Sequence, residues 1–332
     1  MKKIKNCIFF LFVVINFDVY ANELEFEEWK AKFKLIALER GVTLKTIENT
    51  IGKSSFLKNV IKYDRYQPEF YEDTKTYISK RANIKKIKSG KKIYNINKKV
   101  IDKITKEFSV DKDLLLSLMG IETNFGNYLG KMDIVSSLST LSYDQRRSEF
   151  FTSELITLLI LFDNGIINPN NYLGSWAGAF GNFQFMPSTI KNYAIDYDKD
   201  ETINLKSIED SFASAANYLN KIGWNNNTPC FYKVELVNET PHKYLNTSAK
   251  KIVHKNKISY LKKYIKNSEI LNNFDNLEAA FVTPDYDIIP DAKKLTPAYV
   301  VFDNFELILK WNRSLRFALA VCTLKNKFKN AI

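Results

Sequence analysis

Histidine and cysteine are the scarcest reactive residues of this 332-residue chain, with two and three copies respectively. His242 and His254 both lie in a polar stretch, and neither belongs to a recognisable nucleophile–base pattern. Nucleophilic catalysis of the protease kind and a cysteine–histidine metal site are therefore poor hypotheses. Beyond residue 21 the cysteines are Cys230 and Cys322. An oxidising compartment would permit a disulfide, and the sequence leaves open whether the two meet.

Long apolar runs are also absent after residue 21, so we expect no transmembrane anchor. The start of the chain instead has the pattern of a secretory signal. Three lysines precede an apolar run over Cys7–Phe17, and Val19-Tyr20-Ala21 offers a cleavage site. We expect a signal peptide over 1–21, cleaved near Ala21, and a soluble periplasmic protein that acts as a monomer. An uncleaved N-terminal anchor is the alternative.

Acidic residues are the minority among the charged ones, and the chain has a formal net charge of +12. Loss of residues 1–21 would remove three lysines and one aspartate, which leaves +10. A basic exported protein suits an anionic polymer or a membrane surface. The lysines are widely spread and no nucleic-acid motif accompanies them, so we expect no nucleic-acid partner.

Helical periodicity dominates the chain, and strand-like alternation is confined to its last third, at Phe231–Val237 and Ala298–Phe302. Ser89-Gly90-Lys91-Lys92 interrupts the helical pattern, whereas Asn304–Leu324 reads as one helix. The predicted fold class is mainly α (α+β). The predicted segments are an N-terminal helical region over 22–110, a core over 111–228, a small β-containing subdomain over 229–303, and a C-terminal helix over 304–332.

One acidic residue, Glu122, closes an otherwise apolar helix. Leu115, Leu118, Met119 and Glu122 share one helical face, which predicts that the carboxyl group is poorly hydrated. The negative end of the helix dipole acts in the same direction, because both effects favour the protonated acid. Such an acid can protonate the leaving oxygen of a glycosidic bond. A frayed helix end, with the carboxylate in water, is the alternative for this segment alone.

Seven of the eleven glycines lie within residues 120–181, which marks this region as the one that holds a site. Within it, Gly174–Ser188 combines small residues, aromatic residues and one amide, Gln184. Small residues let a ligand approach the backbone, aromatic faces stack on sugar rings, and the amide can both donate and accept hydrogen bonds. A tight packing loop is the alternative.

Together these segments resemble the lytic murein transglycosylases of the B type, which have a lysozyme-like core. The resemblance covers about residues 25–325, and 240–295 matches worst. The matching segments are Tyr77–Arg81, Gly120–Gly126, Leu138–Phe151, Gly174–Ser188, Ala216–Tyr218, Gly223-Trp224, Asn304-Phe305 and Trp311–Ser314.

The resemblance implies that Glu122 is the sole catalytic acid and base and that no cofactor is required for the chemistry. The residues that it implies for substrate binding are Tyr77, Arg146, Arg147, Ser175, Gln184, Tyr218, Trp311 and Asn312. The two arginines would face carboxylates of the substrate. An ion pair at the helix start, with Glu149 or Asp144, is the alternative for them. Trp311 and Phe317 stand where the family usually carries tyrosines.

The implied partner is the glycan strand of peptidoglycan, and the implied reaction needs one carboxylate where ordinary glycosidases use two. Glu122 would protonate the oxygen between N-acetylmuramic acid and N-acetylglucosamine, and would then deprotonate the 6-hydroxyl to close a 1,6-anhydro ring. The alternatives are a hydrolytic muramidase that uses the same acid, or a catalytically silent glycan-binding protein. The sequence leaves open endo or exo cleavage, the preferred stem peptides and any regulatory partners.

An acidic loop that begins at Asp196 has oxygen ligands in half of an EF-hand pattern. Glu201 stands where that pattern needs glycine, and Ser207 stands where it needs a bidentate carboxylate. Some members of the resembling family bind calcium at this place. The candidate ligands of a structural calcium are Asp196, Asp198, Asp200, the Thr202 carbonyl and Asp210. A solvated acidic turn is the alternative.

Overall fold

The computed structural model describes residues 17–67, 71–168, 172–286 and 288–331. Most of the expected signal peptide, at 1–16, lies outside these residues. Fourteen helices are described. They are α1 (Phe17–Glu39), α2 (Leu44–Asn49), α3 (Lys58–Arg65), α4 (Thr74–Arg81), α5 (Ile84–Ile96), α6 (Lys98–Phe108), α7 (Lys112–Thr123), α8 (Ile134–Tyr143), α9 (Ser148–Asp163), α10 (Pro187–Tyr193), α11 (Ile208–Lys221), α12 (Ile258–Leu261), α13 (Asp303–Trp311) and α14 (Leu315–Lys329).

The strands are short and form two sheets. They are β1 (Met132–Asp133), β2 (Leu173–Gly174), β3 (Phe231–Val234), β4 (Leu245–Asn246), β5 (Asn256–Lys257), β6 (Glu278–Val282) and β7 (Ala298–Val301). β1 and β2 pair antiparallel. The larger sheet has the order β3-β7-β6-β4, with β5 also on β6, and within it β4 and β6 are parallel. The predicted class, mainly α with a small β part, is confirmed.

The helix α7 is the centre of the main core. Its residues from Leu114 to Gly120 are all buried, as expected for a helix that is apolar on every side. α14 packs along it and also along α4, and α5, α6 and α11 contact it as well; α8, α9 and α10 pack against one another in sequence. The sheet has a second, smaller core, which includes Val234, Phe281 and Val300. Among the described residues, no helix combines the length and the apolar character that a membrane span requires.

Cys230 and Cys322 form a disulfide with a Cα–Cα distance of 6.1 Å. It joins the residue before β3 to the middle of α14 and closes a separation of 92 residues. The question that the sequence left open is therefore answered by the fold, because the sheet returns to the helical core at this point.

The predicted helix break at Ser89-Gly90-Lys91-Lys92 is wrong, because α5 runs through it without interruption. Gly90 is buried there against Phe328 and Phe125, and a Cβ atom at this position would lie 2.3 Å from the Phe328 ring. The glycine therefore serves close helix packing.

The single C-terminal helix predicted over Asn304–Leu324 is also wrong. The helix is interrupted between α13 and α14, where the Asn312 backbone is extended with φ −140° and ψ 120°. Ser314 then caps α14, since its hydroxyl accepts a hydrogen bond from the Phe317 amide at 3.1 Å. This break places Trp311 at the end of one helix, facing the site described next.

Candidate active site

Glu122 lies in the last turn of α7, beside residues that are almost fully buried. Leu115, Leu118 and Met119 are at most 2% exposed, whereas Glu122 is half-buried. α7 ends one residue later, and Asn124 adopts a left-handed conformation with φ 50°. The carboxyl group is therefore presented at the rim of the core.

The indole of Trp311 is a direct partner of this acid. Its Nε1–H donates to Glu122 Oε1 at 3.0 Å. The two residues are 189 positions apart, and α13 supplies the tryptophan. A hydrogen bond to the charged form of a carboxylate favours that form.

Aromatic rings continue from Trp311 into a stack. Tyr218 of α11 stacks on Trp311 with ring centroids 5.1 Å apart, and Tyr193 of α10 stacks on Tyr218 at 4.4 Å. The Tyr218 hydroxyl donates to the Lys310 carbonyl at 3.2 Å, and burial raises the pKa of Tyr218 to about 12. Tyr218 thus stays neutral across the physiological pH range. Tyr193 was not predicted from the sequence, which gave no signal for it.

The Gly174–Ser188 segment forms a compact loop whose Phe183 and Phe185 ring centroids lie 6.2 and 5.3 Å from that of Trp311. The Ser175 hydroxyl accepts hydrogen bonds from the amides of Ala177 and Ala179 at 3.3 and 3.0 Å, so it organises the loop. Gln184 has φ 50° and its side-chain amide donates to the carbonyls of Gly181 and Leu129. Both side chains therefore shape the loop and are only partly exposed.

Two contacts fix this loop to the end of α7. The Thr123 hydroxyl donates to the Asn182 carbonyl at 2.9 Å. Gly130, with φ 89°, lies so close to the Gly174 backbone that a Cβ atom would be 2.0 Å from the carbonyl oxygen. Asn182 is 3% exposed, and its amide nitrogen donates to the Lys206 and Ser207 carbonyls and the Ser211 hydroxyl. It is a positioning residue that the sequence reasoning missed, although it lies inside the predicted motif.

Lys86 is a second residue that was missed. Its ammonium group donates to the Gly120 carbonyl and, at 3.1 Å, to the Asn124 side chain. Burial and the nearby charge of Arg81 lower the pKa of Lys86. This cation satisfies the C-terminal end of the helix that carries Glu122. Since the sequence is rich in lysine, nothing distinguished Lys86 from the others.

Three of the residues expected to bind substrate contact other side chains of the protein. Tyr77 is 1% exposed and the Arg81 guanidinium lies 3.5 Å from its ring centroid. Its ring therefore offers no surface to a ligand in this arrangement. Arg146 and Arg147 both pair with Asp64 of α3, at 2.7 Å from Arg146 Nε and 3.5 Å from Arg147 Nη1. Neither predicted partner, Glu149 or Asp144, takes part. Asn312 is partly buried at the break after α13.

The acidic loop gathers three of the five candidate metal ligands. Asp196, Asp198 and Asp210 each offer a carboxylate oxygen, and these oxygens lie within 4.8 Å of one another. Partial desolvation and the neighbouring charges of Asp210 and Asp200 raise the pKa of Asp198. Crowded carboxylates of this kind fit a hard cation.

The remaining parts of the acidic loop fit a cation less well. Asp200 accepts hydrogen bonds from the Thr202 amide and hydroxyl, so it is engaged within the loop. Glu201 has φ 71°, a left-handed conformation that is strained for a residue other than glycine.

Comparison with known proteins agrees with this arrangement. The family model of the transglycosylase SLT domain matches residues 25–326. Membrane-bound lytic murein transglycosylase B of Escherichia coli (strain K12) is 36% identical over 139 residues, which are 42% of this chain and 38% of that protein. The matched part is thus well under half of the relative's length.

Solved structures match over nearly the whole chain. SltB3 from Pseudomonas aeruginosa, in complex with NAG-NAM-pentapeptide, has a TM-score of 0.79 and 28% identity over 92% of this chain and 79% of that one. The Escherichia coli lytic transglycosylase Slt35 in complex with calcium has a TM-score of 0.73 and 24% identity over 94% and 95% of the two chains. The latter similarity concerns the fold alone. The chain belongs to the transglycosylase SLT domain family of lytic murein transglycosylases, and its fold is lysozyme-like.

Proposed function

We propose that this protein is an exported peptidoglycan lytic transglycosylase, active as a monomer in the periplasm, with Glu122 as its acid and base. The observation that carries the proposal is the half-buried Glu122 at the end of α7, bonded to the Trp311 indole beside a stack of aromatic rings. Aromatic faces next to a partly buried carboxyl group suit a sugar polymer that must be protonated at a glycosidic oxygen. SltB3, a member of the same family, is known in complex with a NAG-NAM-pentapeptide.

The proposed reaction uses one carboxyl group twice. Glu122 first gives its proton to the oxygen that links N-acetylmuramic acid to N-acetylglucosamine, and the bond from that oxygen to C1 breaks. The N-acetyl carbonyl of the substrate stabilises the cation that develops at C1. Glu122, now ionised, then takes the proton of the 6-hydroxyl while O6 bonds to C1. Atoms balance without water, and the product ends in a 1,6-anhydro ring.

The surrounding residues receive roles that their contacts support. Trp311 and Tyr218 supply the aromatic wall, and the Trp311 N–H stabilises Glu122 after it has lost its proton. Ser175 and Gln184 act by shaping the loop whose Phe183 and Phe185 rings pack against Trp311, and Asn312 ends α13 next to Trp311. Arg146 and Arg147 keep 45% and 42% of their side-chain surface exposed while they pair with Asp64, so their free faces remain candidates for substrate carboxylates.

The test is a digestion of purified sacculi, followed by mass analysis of the soluble fragments. Wild type should release fragments with anhydro ends, and Glu122→Gln should release almost none, because the amide cannot donate or accept the proton. Glu239→Gln is the matched control, since Glu239 is exposed in the β-containing part. Fragments one water heavier would establish a hydrolytic muramidase. Binding to sacculi without release by wild type would establish a silent glycan-binding protein.

We also propose that Asp196, Asp198 and Asp210 hold a structural calcium ion, for which the spacing of their carboxylate oxygens is the support. Calcium would supply no chemistry to the reaction, because none of these residues is placed in it. Calcium should raise the melting temperature of wild type and not that of Asp198→Asn, in which one ligand charge is lost. Equal melting temperatures with calcium and with a chelator would reject the site.

A further inference from the structure

The positive charge of the chain is concentrated in one place. Residues 84–106, which contain α5 and most of α6, include nine lysines and a single acid, Asp102. This segment of 23 residues therefore carries +8 of the chain's formal charge of +12. The wide spread of lysines in the sequence had hidden this, because acids balance them almost everywhere else.

The helix α5 turns one side to the protein and the opposite side to solvent. Gly90 and Tyr94 are buried, with Gly90 packed against Phe328 of α14. At 100° per residue, Lys85, Lys88 and Lys92 lie on the opposite side and within about 60° of one another. All three are exposed. The lysines thus form a stripe along the outward face of α5.

Few acids compensate this stripe. Among the described residues, no ion pair involves Lys85, Lys88 or Lys92, and the ion pair within residues 84–106 joins Lys98 to Asp102. Lys91 instead donates to the Ala331 carbonyl at 3.1 Å. No acidic side chain of the described residues therefore pairs with the three lysines of the stripe, and their ammonium groups can contact a partner.

Two large apolar side chains flank the lysines at the two ends of the helix. Ile84 is 63% exposed and Ile96 is 67% exposed. Both fall on the outward half of α5, on either side of the lysine stripe, and 12 residues of helix separate them by about 18 Å. A helix that exposes lysines together with bulky apolar residues has the composition of an interfacial membrane helix.

We propose that the outward face of α5, formed by Ile84, Lys85, Lys88, Lys92 and Ile96, is a docking surface for the anionic phospholipids of a membrane. The lysines bind lipid phosphate groups, and the isoleucines enter the boundary between headgroups and acyl chains. A hydrated polyanion, such as the wall polymer, would satisfy the lysines but would leave the isoleucines in water. The proposal goes beyond the catalytic function and does not depend on it.

The test measures co-sedimentation with vesicles of phosphatidylglycerol and phosphatidylcholine in equal parts, against vesicles of phosphatidylcholine alone. The protein is purified in the form that the cell exports. We expect binding to the anionic vesicles alone, and weaker binding as salt rises. Lys85→Gln/Lys88→Gln/Lys92→Gln should weaken it about a hundredfold, at about fivefold per lysine. The matched control, Lys250→Gln/Lys251→Gln/Lys257→Gln, loses the same charge from exposed lysines elsewhere and should stay within about threefold of wild type.

The isoleucines separate the membrane from other polyanions. Ile84→Gln/Ile96→Gln keeps every charge and should weaken vesicle binding about tenfold at low and at high salt. Equal binding of this variant and wild type would overturn the proposal, as would a lysine variant that behaves like its control. If the three lysines are needed for binding to sacculi but not to vesicles, the face serves the wall polymer and the membrane assignment is wrong. Unchanged melting temperatures of the variants show that each remains folded.

Discussion

The hydrogen bond from Trp311 to Glu122 allows a quantitative prediction. Trp311→Phe removes the Nε1–H donor, which lies 3.0 Å from Glu122 Oε1, and keeps an aromatic ring beside Tyr218. A hydrogen bond to a charged group contributes about 1.5–3 kcal/mol. At about 1.36 kcal/mol per pH unit, this corresponds to about one to two pH units. Since Glu122 is only half-buried, solvent screens the interaction, and we expect the lower value of about one unit.

The sign follows from the form of Glu122 that the indole stabilises. Without the donor the protonated acid persists to higher pH, so the alkaline limb of kcat/KM against pH should move up by about one unit. At the same time kcat should fall, because the proposed proton donation to the glycosidic oxygen leaves Glu122 ionised, and this ionised form has lost a stabilising contact. The assay is the rate of release of soluble fragments from sacculi across a pH series.

The matched control for this prediction is Trp224→Phe. The Trp224 indole donates to an amide oxygen, that of Asn226, at 2.9 Å. Its loss should cost some stability and leave the pH profile in place. A Trp311→Phe enzyme that is slower at every pH, with an unmoved alkaline limb, would refute the reasoning.

Three further predictions concern stability. Replacing Cys230 and Cys322 by serine should lower the free energy of unfolding by about 2–5 kcal/mol in urea titrations, because the disulfide closes 92 residues; a titration identical to that of wild type would contradict this. Gly130→Ala should lower the free energy of unfolding by at least 2 kcal/mol, roughly the strain at positive φ plus a clash with the backbone. Gly41 has a similar φ but no atom within 4 Å of its Cβ position, so Gly41→Ala should lower it by only about 1–2 kcal/mol. Hydrogen bonds from the Thr76 hydroxyl and amide lower the pKa of Asp73, which caps α4, so Asp73→Ala should cost about 1 kcal/mol at pH 7 and progressively less as the pH falls through the lowered pKa. A penalty independent of pH would show that the charge of Asp73 has no part in the cap.

The local features of the chain could be predicted from its sequence because they depend on neighbouring residues. The apolar helix that carries Glu122 has the predicted buried face. The strands at Phe231 and Ala298 also start where alternation placed them. Periodicity identifies such elements because burial of one face suffices to stabilise them.

The errors arose where distant packing decides the structure. Gly90 reads as a helix breaker, yet it is retained in α5 because the Phe328 ring occupies the space of its missing side chain. Arg146 and Arg147 lie next to plausible acidic partners in sequence, yet Asp64 of α3 binds both. No pattern within a few residues carries this information, since the partner is more than 80 positions away.

The proposed active site depends on the same kind of distant packing. Glu122 lies in the last turn of α7, but its partner Trp311 is placed by the end of α13, before α14 begins. α14 is held against α7 and α4 by packing and is joined to the sheet through Cys322. A shift of α14 would therefore move the short segment that joins it to α13. The Trp311 indole at the end of α13, which contacts Glu122, would move with that segment. The C-terminal helices thus help to position the proposed catalytic acid, and loss of the disulfide should widen the distribution of Trp311–Glu122 distances before it unfolds the protein.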